Sequence, residues 1–528
     1  MYRRGISIAM ARGLALALAS AAALLAGCGS DSMTAEPAAS TAHGTLALSP
    51  PLRIASVDAA TFQAQIAGTP SGSQLLEVAG KPICGVDFYY ITFWTVGGAG
   101  EVTESSGALM VPTGAAPACS GPRPIVLYAH GTAFEKSFNI ADITNTSNTE
   151  GALIAATFAA QGYIVVAPNY AGYDISTLGY HPFLNGSQQS GEMIDALTAA
   201  RTALPSTFAS STTDSGKLFI TGYSQGGYVA MATERALELS GKTVTAAAPM
   251  SGPYALEALF DAAFFGNVNL GSTLFTPLVT TSYQHAYKNI YTATSDFYSS
   301  TYATGIDTLM PTTLSPYSDL FTQGLLPATA LFDSTTPVVP GLTALLAVPS
   351  NPNNPLTPLF AAGFGSPFLI NNSARVDYAV DAAGNPDGTA IGSAALAATA
   401  PTYGLRLDLY KNDMRNGGWA PTAPTLLCGG ENDPTVFFSV DTLTMAAFWS
   451  GLPAGVVTVL DVDPAAGPSG PYALIQGAFQ ASQVAEFAEL ESTGLTAAEA
   501  QEKLVQNYHG TSVPPFCSLA ARTFFEHF

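Results

Sequence analysis

The sequence predicts an α/β fold, a mostly parallel sheet flanked by helices and carrying one large insertion. Three observations carry this expectation. Short apolar runs alternate with helix-compatible stretches from about residue 124, as in buried parallel strands joined by crossover helices. One run, Lys217-Leu218-Phe219-Ile220-Thr221, passes through Gly222-Tyr223-Ser224-Gln225-Gly226 straight into a helical pattern. The alternation then stops after Pro253 and resumes only near residue 416.

The chain begins with Arg3, Arg4 and Arg12, followed by an apolar, Ala-rich run ending at Leu25. Residues 1–27 therefore read as a secretory signal, too short to span a bilayer as a mature helix. Leu25-Ala26-Gly27-Cys28 resembles the bacterial lipobox, which implies lipidation of Cys28 and a membrane anchor; an ordinary cleaved signal is the alternative. Gly29, not Asp, follows, and in Gram-negative bacteria that resemblance points to the outer membrane. Residues 28–50 are small and polar and suit a tether.

Residues 51–253 form the first part of the predicted core. Residues 88–96 and 106–111 read as a hairpin, and 124–129, 163–167, 218–221 and 244–249 as strands. Helices are expected at 150–161, 190–204 and 225–239. Residues 254–415 are the insertion, rich in Leu, Phe, Tyr, Thr and Pro, with Glu257 its single Glu. Residues 416–528 complete the core, with strands at 424–430 and 456–460 and a helical excursion within 464–508.

Of the 528 residues 48% are hydrophobic and 11% charged, enough for a large core. The net charge of −20, without a basic run beyond the N-terminus, argues against a nucleic-acid partner. Beyond Cys28 lie Cys84, Cys119, Cys428 and Cys517; in an exported chain these favour disulfides, with three possible pairings. Cys84–Cys119 would tie down the opening hairpin. Cys428–Cys517 would brace the segments around Asp433 and His509. No His, Cys, Asp or Glu set stands at metal-ligand spacing and no phosphate-cradling loop is visible, so neither metal nor cofactor is expected.

A serine held in a Gly-x-Ser-x-Gly corner between strand and helix presents its Oγ at the top of a sheet, beside a helix N-terminus. That corner is the nucleophile elbow of the α/β hydrolases. The likeness extends to His130-Gly131-Thr132, Ala167-Pro168-Asn169-Tyr170-Ala171-Gly172-Tyr173, Ala248-Pro249-Met250-Ser251-Gly252-Pro253 and Glu431-Asn432-Asp433-Pro434. In this order they make residues 80–517, apart from much of the insertion, resemble the secreted lipase/esterase branch of that superfamily. The resemblance implies an α/β-hydrolase fold with a large cap at 254–415 and an exported serine hydrolase acting on a small-molecule or lipid ester. The excursion before His509 departs from the family, where a short loop is common.

Serine needs an imidazole to take its proton and a carboxylate to orient that imidazole. In the family the chain order is Ser, acid, His. Of His43, His130, His181, His285, His509 and His527, only the last two follow the acid strand, and His527 is penultimate. The expected set is Ser224, Asp433 and His509, with Glu431 the alternative acid and Asp461 and Asp463 weaker ones. The oxyanion donors are expected at the backbone N–H groups of Gln225 and Thr132. His130 and His181 are expected to serve structure, His181 with a place at the entrance. A serine peptidase on the same fold, or an inert surface-binding lipoprotein, are the other readings; no Glu-Glu pair of the kind an exopeptidase uses occurs in the insertion.

Overall fold

Apolar side chains that alternate along a strand bury both faces of a sheet only when helices lie above and below it. The computed structural model, which describes residues 42–68, 76, 78–143, 145, 148–207, 212–387 and 399–528, shows that arrangement. The expected signal and Cys28 lie outside the described residues. Strands run at Leu52–Val57 (β1), Gly85–Val96 (β2), Val102–Thr113 (β3), Gly121–Ala129 (β4), Ile164–Pro168 (β5), Thr212–Tyr223 (β6) and Ala246–Met250 (β7). Phe332–Asp333 (β8), Phe364–Gly365 (β9), Thr425–Gly429 (β10) and Val457–Asp461 (β11) follow. Among the described residues nine strands form one sheet, in the order β1-β2-β3-β5-β4-β6-β7-β10-β11. From β5 to β11 every neighbouring pair is parallel, whereas β1, β2 and β3 are antiparallel.

The longer helices among the described residues are Ala59–Ala67 (α1), Thr149–Thr157 (α2), Gly186–Thr207 (α3), Gln225–Leu239 (α4), Leu256–Phe264 (α5), Ser272–Tyr287 (α6), Asn372–Gly384 (α7), Gly404–Asn412 (α8), Ala473–Ser492 (α9), Ala497–Asn507 (α10) and Val513–Phe525 (α11), with shorter ones at Asp319–Thr322, Thr357–Ala362 and Thr442–Phe448. Ile125, Leu127, Val166 and Ile220 face one way, into a cluster with Met193 of α3 and Val229 of α4. Val126, Val165 and Phe219 face the other way, against Ile154 of α2 and Phe516 of α11.

Several boundaries differ from expectation. The tether was expected to reach residue 50, yet Gly44 N–H donates to Trp94 O, Trp94 N–H to Thr45 O and Ala47 N–H to Thr92 O, so residues 44–47 already pair with β2. Strand β6 begins six residues earlier than its apolar run, because Thr212 and Thr213 pair with Gly121 and Pro122 of β4. The excursion is two helices, α9 and α10, and Thr496 and Glu499 form a capping box that starts the second.

Between β7 and β10 the described part of the insertion has helices joined by long irregular segments, with β8 and β9 a short parallel pair. Several of its charges lie inside. The Arg406 guanidinium, fully buried, contacts Asp261 at 2.8 Å, Glu257 at 2.9 Å and Asp381 at 3.1 Å. Arg415 pairs with Asp387 and Asp413, each at 2.8 Å. These networks join α5, α7 and α8 to the segment leading into β10, and bidentate geometry satisfies charges that could not be buried alone.

Disulfides join Cys84 to Cys119 and Cys428 to Cys517. The second links β10 to α11 across 89 residues. Replacing both Cys428 and Cys517 by alanine is expected to cost about 3–5 kcal/mol of stability, since a long loop is no longer closed in the unfolded chain. The urea midpoint measures it, and an unchanged midpoint would show that packing alone holds α11 to the sheet.

Candidate active site

Strand β6 ends at Tyr223 and α4 begins at Gln225, so the whole turn falls on Ser224. Its φ is 59°, a conformation that a residue with a side chain adopts only under strain. The Ser224 N–H donates to Met250 O at 3.0 Å, which fastens the corner to β7. A Cβ on Gly222 would stand 2.4 Å from Ala129 O, and one on Gly226 1.9 Å from the same oxygen. Only glycine lets the end of β4 pass so close to the elbow.

His509 Nε2 lies 2.8 Å from Ser224 Oγ, and His509 Nδ1 lies 2.6 Å from Asp433 Oδ2. The carboxylate can only accept, so Nδ1 carries the proton and Nε2 is free to accept from the serine. Asp433 Oδ1 accepts the N–H groups of Thr435 at 2.9 Å and Val436 at 3.0 Å, which leaves Oδ2 aimed at the ring. Asp433 and His509 are both buried. The arrangement can move a proton from the serine to the imidazole while the carboxylate stabilises the cation that forms.

The histidine does not sit on a loop. Tyr508–Ser512 is a π-helical turn between α10 and α11, closed by Val513 N–H to Tyr508 O. Pro514 and Pro515 lack the N–H groups that would close α-helical bonds onto Gly510 and Thr511, so the helix widens there. The excursion holds this turn: Glu486 of α9 accepts from Asn507 Nδ2 at 2.8 Å and from Ser512 Oγ at 3.3 Å. Tyr508 OH donates to Asp463 at 3.0 Å and accepts from Asn432 N–H at 3.4 Å, tying the turn to the acid loop.

The alternative carboxylates are occupied elsewhere. Asp461 accepts from the N–H groups of Glu431 and Asp463, while Glu431 itself accepts from Ala465 N–H. Together they shape the turn on which Asp433 stands.

Thr132 and Gln225 line the cavity beside Ser224. His130 is fully buried, stacked on Tyr170 at 4.0 Å, with its ring nitrogens facing Gly131 O and Asn169 O. Burial pushes its imidazole down to about 4, so it is neutral near pH 7. His181 is not at the entrance. It is buried beneath the elbow, donating from Nδ1 to Ala171 O at 2.8 Å and accepting at Nε2 from the Gln225 amide at 2.6 Å. Burial holds it neutral, down to about 3. No sequence signal marks the His181–Gln225 pairing, which spans 44 positions.

The cavity measures about 50 Å³ and is walled by Phe183, Leu184, Leu259, Phe260, Phe264 and Phe275, with Asn269 and Ser272 among its few polar groups. Helices α5 and α6 of the insertion contribute Leu259, Phe260, Ala263, Phe264, Ser272, Phe275 and Thr276 to the wall. Among the described residues no group of three or more His, Cys, Asp or Glu could hold a metal ion.

Residues 151–251 match the prolyl oligopeptidase family. A ligand-bound rice cell wall degrading esterase, LipA from Xanthomonas oryzae, is 28% identical, with 80% of this chain and 91% of that one covered at a TM-score of 0.60. The chain is an α/β hydrolase. A hydrolase described as putative, from Legionella pneumophila, shares the fold at 18% identity, with 90% and 96% covered and a TM-score of 0.55. A comparison with curated proteins finds no match. The matched family segment runs from α2 to the end of β7 and so contains the elbow. The esterase likeness takes in most of both chains, and with the family match it makes this α/β hydrolase a serine hydrolase.

Proposed function

We propose that this hydrolase cleaves carboxylic esters through an acyl-Ser224 intermediate. The observation that carries the reading is the Ser224–His509–Asp433 chain of hydrogen bonds opening onto an apolar cavity. As the Ser224 oxygen bonds to the ester carbonyl carbon, its proton passes to His509 Nε2. The carbonyl oxygen becomes an anion, for which the N–H groups of Thr132 and Gln225 are the proposed donors. The carbon–oxygen bond to the alcohol then breaks, and the alcohol leaves with the proton from His509. Water, deprotonated by the same imidazole, releases the carboxylic acid and restores the serine.

Residues 254–415 serve in this reading as a cap whose α5 and α6 enclose the acyl group. The chain is exported by residues 1–27 and held on the outer membrane through a lipidated Cys28, and its two disulfides are compatible with an oxidising compartment. A small-molecule or lipid ester is the substrate.

The match to the prolyl oligopeptidase family favours a second reading, a serine peptidase. Nitrophenyl acetate, butyrate, octanoate and palmitate assayed beside peptide nitroanilides separate the two. The small apolar cavity predicts turnover of the esters, falling from butyrate to palmitate by about tenfold or more, because a chain that outgrows the pocket forces side chains off their rotamers. Turnover of the anilides without the esters would replace this reading with the peptidase.

A further inference from the structure

The loop that follows β4 brings Thr132 to the cavity, and its neighbours are fastened one by one. Tyr170 OH donates to His130 O at 3.0 Å, and Tyr173 OH donates to Ala133 O at 2.5 Å. Between them, the N–H of Gly131 donates to both carboxylate oxygens of Glu150, at 2.9 and 3.2 Å. Glu150 stands in the first turn of α2, and its Oε1 also accepts from Tyr128 OH of β4 at 2.8 Å. Among the described residues no lysine or arginine pairs with this carboxylate. A carboxylate taken out of water without a cation costs several kcal/mol, and a protein keeps one where its acceptor geometry has a use.

The geometry points to Glu150 as a positioning residue: by holding the Gly131 N–H it aims the backbone N–H of the next residue, Thr132, at the oxyanion formed on Ser224. The assignment rests on the ester-hydrolase reading above. The oxyanion N–H of Thr132 belongs to the peptide plane that starts at the Gly131 carbonyl. A rotation about Gly131, which its missing side chain makes easy, would swing that donor away. Glu150 removes this freedom from one side, as the two tyrosines do from the flanking carbonyls. Burial pushes the Glu150 carboxyl up to about 7, against the hydrogen bonds from Gly131 N–H and Tyr128 OH, and burial together with the Glu150 charge raises the hydroxyls of Tyr128, Tyr170 and Tyr223. In either protonation state one oxygen still accepts from Gly131.

An oxyanion donor acts in the transition state, so misplacing it lowers kcat and spares KM. Glu150→Leu, which has no acceptor, and Glu150→Asp, which withdraws the acceptor by one methylene, are expected to lower kcat for nitrophenyl butyrate by about 10- to 100-fold, with KM within about twofold. Glu150→Gln, whose amide oxygen can accept the same N–H, is expected to recover activity to within about threefold of wild type. Labelling of Ser224 by an alkyl fluorophosphonate, whose phosphoryl oxygen takes the oxyanion's place, should slow in parallel. Should the leucine variant not fold by thermal unfolding, the aspartate variant decides. A kcat kept within about twofold in the folded variants, or a loss confined to KM, overturns the assignment. Wild-type protein that neither turns over esters nor takes the label would instead sink the ester-hydrolase reading itself.

Discussion

Ser224→Ala is expected to lower kcat for nitrophenyl butyrate by about 10⁶-fold, with KM little changed. The oxygen that forms the acyl bond is gone, and no neighbouring hydroxyl stands in its place: His509 Nε2 points to Ser224 Oγ alone among the described side chains. Binding survives because the apolar part of the cavity wall comes largely from α5, α6 and the Phe183-Leu184 pair, which stay in place without the hydroxyl. Stability should hold or rise slightly. The strained φ of 59° belongs to the backbone and an alanine there bears the same strain, while the hydroxyl it loses is partly exposed. Steady-state kinetics on active-site-titrated enzyme measure the effect. Residual turnover above about one thousandth of wild type would mean that another group attacks the ester.

Asp433→Asn is expected to lower kcat by about 10⁴-fold, through the wrong tautomer rather than a lost contact. Oδ1 accepts two backbone N–H groups, from Thr435 and Val436, so an asparagine must place its carbonyl oxygen there and turn its amide toward His509. The ring nitrogen facing that amide can then only accept. The proton moves to Nε2, which donates to Ser224 Oγ and can no longer take its proton. Glu431→Gln serves as the comparison. Its carboxylate accepts from Ala465 N–H and is exposed, and its loss should leave kcat within about threefold. Were Glu431→Gln the more damaging of the two, the carboxylate assignment would have to be exchanged.

The elbow and the strands around it were legible because their signals are local. A short apolar run, two glycines flanking a serine and a helix-compatible run lie within about twenty residues, and they specify strand, corner and helix through contacts nearby in the chain. Helix α4 runs over Gln225–Leu239, the span expected. The pairing of Cys428 with Cys517 was legible for a different reason, since it follows from bringing Asp433 and His509 together. The fate of the charges was not. With its charges widely spaced among Leu, Phe and Tyr the insertion reads as an apolar layer, yet Arg406 and Arg415 are buried within it, each amid carboxylates, and Arg406 meets Asp261 from 145 positions away. Pattern cannot distinguish a buried arginine from a solvated one, because burial depends on which helices pack over it. The excursion was legible as helix but not as support. Glu486 looks like any solvent-facing glutamate until α9 folds back beside the π-turn.

By itself the amino-acid order determined an α/β sheet with a strained serine corner, because steric limits on φ and ψ and the two side-chain periods act over a few residues. The sequence favoured Asp433 over Glu431, Asp461 and Asp463, and tertiary structure turned its Oδ2 toward the imidazole. It also set His509 on a π-turn, hid His181 beneath Gln225 and seated Glu150 against Gly131. The physical reason is common to all of these. A hydrogen bond across 19 to 285 positions requires two surfaces to meet within about 3 Å, and that meeting is settled by the packing of helices on the sheet rather than by neighbours in the chain.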